Sequence, residues 1–124
     1  MKIYVSHSKE FNFADELYKL IRESELNKLH NFFLPHESEE ILNVKEILKN
    51  CDLVIAEVST PATGQGIELC WADSLGVPIL CVSKEDSDIS RSLKYLTDKF
   101  IIYKDSSDLI VKISEFLSKY ALTS

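Results

Sequence analysis

The stretch CDLVIAEVSTPATGQGIELCWADSLGVPILCV (51–82) contains a strand, a loop, a helix and a second strand in succession. DLVIAEV (52–58) is almost continuously apolar, as a strand covered on both faces must be. Pro61 stops it from extending. IELCWADSLG (67–76) then reads as a helix closed by Gly76, a usual residue just past a helix end. VPILCVS (77–83) is another buried strand. Strands joined through a helix are parallel, because the connection has to cross over the sheet.

The same alternation continues in both directions. KIYVS (2–6) is a short β-rich run, and 13–24 carries Phe13, Ala14, Leu17, Leu20 and Ile21 at helical spacing. NFFLP (31–35) is a strand stopped by Pro35, and 39–50 shows helix period through Ile41, Leu42, Val44, Ile47 and Leu48. A charged loop and SLKYL lead to FIIY (100–103), a fifth strand. SDLIVKISEFLSKY (107–120) is an amphipathic closing helix, with Asp108 near its positive end and Lys119 near its negative end. The expected fold is α/β: one three-layer flavodoxin- or Rossmann-like domain over 1–124, with a five-stranded parallel sheet in the order 2-1-3-4-5.

Composition narrows the function. A chain of 124 residues supports one hydrophobic core. The net charge of −6 argues against a nucleic-acid partner and leaves a small anionic ligand open. No run approaches the roughly 20 apolar residues of a membrane span, and the start lacks a signal-peptide core. A cytoplasmic protein with no membrane partner is expected. Cys51, Cys70 and Cys81 form no CxxC pair and read as buried free thiols. His7, His30 and His36 lack zinc spacing, so neither a metal site nor a cofactor is expected.

In a sheet of this order, ligands bind beyond the strand ends between strands one and three. Ser6, His7 and Ser8 should therefore share a pocket with the segment from Ser59 to Gly66. Pro35, His36, Glu37 and Ser38 should form its rim. Within PATGQGIEL (61–69), the glycines allow two readings. A phosphate loop is one, but GxGxxG lacks its third glycine, replaced by Leu69, and no Walker lysine is present. The other is a glycine-shaped turn that presents Glu68 in the first turn of a helix. Glutamate there is also favoured by the helix dipole alone.

The 51–82 stretch resembles the nucleoside 2-deoxyribosyltransferase family, closest to the branch of 2′-deoxynucleoside 5′-phosphate N-hydrolases. The resemblance rests on the apolar strand, the A-E-V-S-T-P segment, the G-x-G-x-E motif and a helix ending at Gly76. KIYVS matches as well. The resemblance implies that Glu68 attacks C1′ of the (deoxy)ribose and that Tyr4 orients its carboxylate. Gly64 and Gly66 would let the sugar approach the backbone. It also implies a nucleoside or nucleotide partner, with hydrolysis favoured over base exchange, and a homodimer or higher homo-oligomer.

Two departures stand out. Where the family carries an acid for the leaving base, this chain reads Leu42-Asn43-Val44-Lys45, and Asn43 can bind a base but not protonate it. Six residues before Glu68, Ala62 replaces an aspartate or phosphate-binding serine, with Ser59 and Thr63 as nearby hydroxyls. The glycine and arginine that the hydrolases use after strand one are His7 and Glu10 here, leaving Ser8 and Lys9 for a phosphate. His7 and His36 are candidate general acids. Glu57 reads as a second pocket carboxylate or, preferably, as a group bonded to a neighbouring loop. A further resemblance, of 3–21 to the first box of TIR domains, implies an NAD-cleaving alternative. A non-enzymatic nucleotide-binding or assembly module is the third reading.

Overall fold

In a computed structural model, which describes residues 1–123 and side chains through residue 120, five parallel strands form one sheet. They are β1 (Lys2–His7), β2 (Asn31–Phe33), β3 (Leu53–Glu57), β4 (Ile79–Lys84) and β5 (Phe100–Tyr103), in the order β2-β1-β3-β4-β5. The helices are α1 (Lys19–Glu23), α2 (Leu26–Leu29), α3 (Val44–Lys49), α4 (Thr63–Ser74) and α5 (Ser106–Thr123). The α/β architecture and strand order expected from the sequence are both present.

Strand parity builds two cores. Ile3 and Val5 of β1 join Leu53, Ile55, Leu80 and Val82 beneath Leu17, Ile21, Leu109 and Ile113, on the α1/α5 face. Tyr4 joins Val54, Ala56, Ile79 and Cys81 beneath Leu48, Leu69 and Ala72, on the α3/α4 face. Each large side chain buried in this way stabilises the fold by about 1.5–3 kcal/mol relative to exposure. β1 is hydrogen-bonded on both sides, with Ser6 opposite Ala56 and His7 opposite Glu57, so its last residues sit beside the end of β3.

Several boundaries differ from the sequence reading. The expected helix over 39–50 is confined to α3, because Asn43 caps it by accepting a hydrogen bond from the Glu46 N–H at 3.2 Å. Ile41, counted on its apolar face, is fully exposed. The helix expected over 13–24 starts with a wide turn, Ala14–Tyr18, in which the Lys19 N–H reaches back five residues to the Ala14 carbonyl. The extra residue shifts the helix phase, so Ala14 faces solvent while Leu17, Tyr18 and Ile21 are buried. β2 ends before Pro35, which opens a 3₁₀ turn, Pro35–Glu37. SLKYL lies in another 3₁₀ turn, Arg91–Tyr95.

The thiols divide. Cys81 is buried, and burial pushes its pKa up to about 12. Cys51 is half-buried and Cys70 is exposed on α4, so the expectation of three buried thiols is corrected. Among the described residues no helix is long and apolar enough to cross a membrane.

Candidate active site

The largest correction concerns PATGQGIEL. The backbone of Ala62 is extended, and α4 begins at Thr63, four residues earlier than expected. Gly64 and Gly66 are therefore inside the helix, and neither adopts positive φ; among the described glycines only Gly76 does. Glu68 lies in the second turn of α4, where the dipole argument weakens. Gln65 offsets the cost of two helical glycines, since its buried amide donates to the Glu57 carbonyl at 2.8 Å and ties α4 to the end of β3. A methyl group at Gly64 or Gly66 would meet nothing within 4 Å, so the glycines leave open space rather than shape a turn.

Alternation along β1 places Tyr4 and Ser6 on the α4 face. The fully buried Tyr4 hydroxyl donates to Glu68 Oε2 at 2.5 Å, and the Ser6 hydroxyl donates to Oε1 at 3.1 Å. Both carboxylate oxygens are thus held from β1. Burial, with the Glu68 carboxylate beside it, drives the Tyr4 phenol well above its ordinary value. The phenol therefore stays protonated and remains a donor.

Glu68 opens onto a cleft of about 570 Å³ at the strand-end face, whose wall includes His7, Ser8, Lys9, His36, Gly64 and Trp71. Lys45 sits over the Trp71 ring at 5.8 Å. A second hollow of about 590 Å³ shares Glu68, His36 and Val44 with the first and adds Tyr4, Phe13, Leu42 and the Glu39 and Glu40 carboxyls. Glu68 and His36 thus border both hollows, the two halves of a trough along this face. A separate, largely apolar cavity of about 390 Å³ lies across the Pro61–Gln65 wall, lined by Leu69, Cys70, Leu93 and Leu96 among others.

Not every candidate reaches the trough. Gly66 lines the apolar cavity instead of the cleft. The Ser59 hydroxyl donates to Glu57 at 3.0 Å and accepts from the Lys84 N–H at 2.8 Å, which commits it to joining β3 and β4. Asn43 lines neither hollow, and its Oδ1 accepts from the Glu46 N–H in capping α3. Glu57 is buried behind the site and accepts from the Ser59 N–H at 2.6 Å, the Ser59 hydroxyl and the Tyr103 hydroxyl, the loop-bonded role preferred from the sequence. Ser8 is buried, and its hydroxyl accepts from the Glu10 N–H at 3.1 Å.

The two histidines differ sharply. His7 is buried, with Nδ1 2.9 Å from the Ser8 carbonyl and Nε2 2.6 Å from the Tyr18 hydroxyl. A carbonyl only accepts, so Nδ1 carries the proton and Nε2 accepts from Tyr18. Burial lowers the His7 pKa and favours this neutral form. His36 is exposed at the rim, and its backbone N–H donates to the Tyr18 oxygen at 3.2 Å. Tyr18 was absent from the sequence candidates: it falls on the Leu17–Ile21 helix face and reads as core, and its bonds to His7 and His36 reach two other segments. Among the described residues no three His, Cys, Asp or Glu side chains are grouped to hold a metal ion.

Known proteins share parts of this pattern. No family model matches the chain. A 46-residue stretch is 44% identical to a Methanococcoides burtonii protein provisionally named 2′-deoxynucleoside 5′-phosphate N-hydrolase 1, covering 37% of this chain and 38% of that protein. A 74-residue stretch is 34% identical to a Methanosarcina barkeri protein of the same provisional name, covering 57% and 46%. The chain thus spans less than half the length of these curated relatives. A CMP N-glycosidase of Clostridium botulinum superposes with a TM-score of 0.66 at 22% identity, over 92% of this chain and 99% of that one. A 2-deoxyribosyltransferase of Bacillus psychrosaccharolyticus gives 0.65 at 21% identity, over 88% and 90%. At those identities the structural likeness shows the fold. The matched stretches, together with that fold, make the chain similar to proteins of the nucleoside 2-deoxyribosyltransferase family.

Proposed function

We propose that the cleft cleaves the N-glycosidic bond of a (deoxy)nucleoside or its 5′-monophosphate, with Glu68 as the nucleophile at C1′. The observation that carries this reading is the Glu68 carboxylate, held at both oxygens by Tyr4 and Ser6 and open to the trough. A fixed carboxylate suits the chemistry, because the bond breaks through an oxocarbenium-like transition state that it stabilises and then captures. Two donors hold the carboxylate in place before substrate arrives, so little orientation remains to be won during the reaction.

Water then displaces Glu68 from C1′, completing hydrolysis. Hydrolysis is favoured over base exchange by the resemblance to the N-hydrolases and by Ala62, which stands where the transferases have an aspartate. The trough contributes Gly64, whose bare backbone leaves room for a sugar, and Ser8 with Lys9 as the polar end. The family resemblance further supports a homodimer, which light scattering on the purified chain would test.

The functional test is release of free base, followed chromatographically, from deoxynucleosides, deoxynucleoside monophosphates, ribonucleotides and NAD. Wild-type protein should release base from a nucleoside or nucleotide, and Glu68→Ala should lose at least about 10³-fold, or roughly 4 kcal/mol of transition-state stabilisation. Cleavage confined to NAD would support the TIR-like alternative. Saturable nucleotide binding without any cleavage would support a binding module.

A further inference from the structure

Glycosidic cleavage by Glu68 leaves the departing base in need of a proton, and Asn43 has no acidic proton to give and lines neither hollow. Resting on that functional reading, we infer that His36 donates the proton, and that His7 and Tyr18 are positioning residues that hold His36 at the trough it shares with Glu68. Strand parity sets up the arrangement. Tyr4 and Ser6 point from β1 to the Glu68 face, while His7 points to the opposite face and meets Tyr18 at 2.6 Å. The Tyr18 hydroxyl donates to His7 Nε2, and its oxygen accepts the backbone N–H of His36 at 3.2 Å.

The turn carrying His36 is pinned on its other side as well. Arg22 donates to both Glu37 carboxylate oxygens, at 2.6 and 2.9 Å. The His36 ring rests 5.2 Å from both the His7 and the Phe13 rings, centroid to centroid. It borders both halves of the trough together with Glu68. Both His7 nitrogens are engaged, whereas the His36 ring nitrogens have no hydrogen-bond partner among the described residues. His7 is therefore structural, and His36 is free to meet a ligand.

The step balances. As a Glu68 oxygen bonds to C1′, the C1′–N electron pair passes to the base, and the His36 imidazolium gives the base its proton. The neutral imidazole then takes a proton from the water that displaces Glu68, which regenerates both groups. The competing carboxyls are Glu10 in the first hollow and Glu39 and Glu40 in the second.

Two substrates separate the roles: the best-cleaved common deoxynucleoside or 5′-monophosphate, and a 4-nitrophenyl 2-deoxyriboside with the same 5′ group. The second leaves as a stable phenolate and needs no acid. His36→Gln should lower kcat on the first by about 100-fold or more, the usual worth of a general acid, and on the second by less than about threefold. Tyr18→Phe should follow the same pattern at about tenfold, with little change in KM, while Glu68→Ala should lose both activities. Equal losses of His36→Gln on both probes overturn the inference alone. So does a wild type inert toward the nitrophenyl compound, or a selective loss in Glu10→Gln, Glu39→Gln or Glu40→Gln instead. A wild type that cleaves no nucleoside removes the functional reading and this inference with it.

Discussion

Replacing Tyr4 with phenylalanine removes one oxygen from beneath Glu68 and leaves the ring in its place, stacked on Phe33 at 5.8 Å. The lost contact is a hydrogen bond to an acid side chain at 2.5 Å, from a phenol that burial keeps protonated. Hydrogen bonds to charged groups contribute about 1.5–3 kcal/mol. Glu68 is only half-buried, so water replaces the lost donor in the resting protein, and the stability loss should stay near 1 kcal/mol. Water cannot fix the carboxylate in the orientation proposed for attack on C1′. Most of the loss should therefore appear in kcat, as a decrease of about 10- to 100-fold at 1.4 kcal/mol per tenfold. Ser6→Ala, which removes a longer bond of 3.1 Å, should cost less. The assay pairs steady-state base release with thermal melting of both variants. A folded Tyr4→Phe protein with kcat within threefold of wild type would falsify the claim that β1 orients the nucleophile.

Two further outcomes test other parts of the structure. Gly64→Ala should stabilise the protein by about 0.5–1 kcal/mol, since alanine suits a helix and its methyl meets nothing. The same methyl enters the cleft and should raise KM; an unchanged KM would remove Gly64 from the substrate path. Glu37 is held below its ordinary 4.5 by the Arg22 hydrogen bonds, so its contribution is fully present above that pH and is lost as pH falls through the lower folded value. Both partners are well exposed, so the contribution is below about 1 kcal/mol. Glu37→Gln should flatten the acid limb of a denaturation series by that amount, and an unaltered limb would remove the pair from the acid response.

The fold was legible because its central strands are apolar runs and its connections are helical, a pattern that allows few sheet orders. The Tyr4–Ser6–Glu68 group could be anticipated from a motif and a strand end. The remaining site features depend on tertiary context. Two glycines that read as a turn lie within α4 because Gln65 anchors that helix to β3. Ile41 and Leu42 continue a helical period that Asn43 ends by capping. Tyr18 reads as one more core residue beside Leu17 and Ile21, and its link between His7 and His36 joins three segments that are distant in sequence. His7 and His36 look alike as loop histidines, and only their hydrogen-bond partners separate a fixed, neutral imidazole from a free one.

The alternation of β1 has a consequence for how this protein can change. Even-numbered Tyr4 and Ser6 serve the carboxylate, and odd-numbered Val5 and His7 serve the opposite core and the rim behind it. Inserting or deleting a single residue in this strand would exchange the two sets at once, turning the hydroxyls into the wrong layer and aliphatic carbon toward Glu68. A two-residue change preserves the assignment. Viable variation in β1 is thus expected as substitutions within one parity or as length changes in pairs, so that the chemistry and the rim can diversify separately along one short strand.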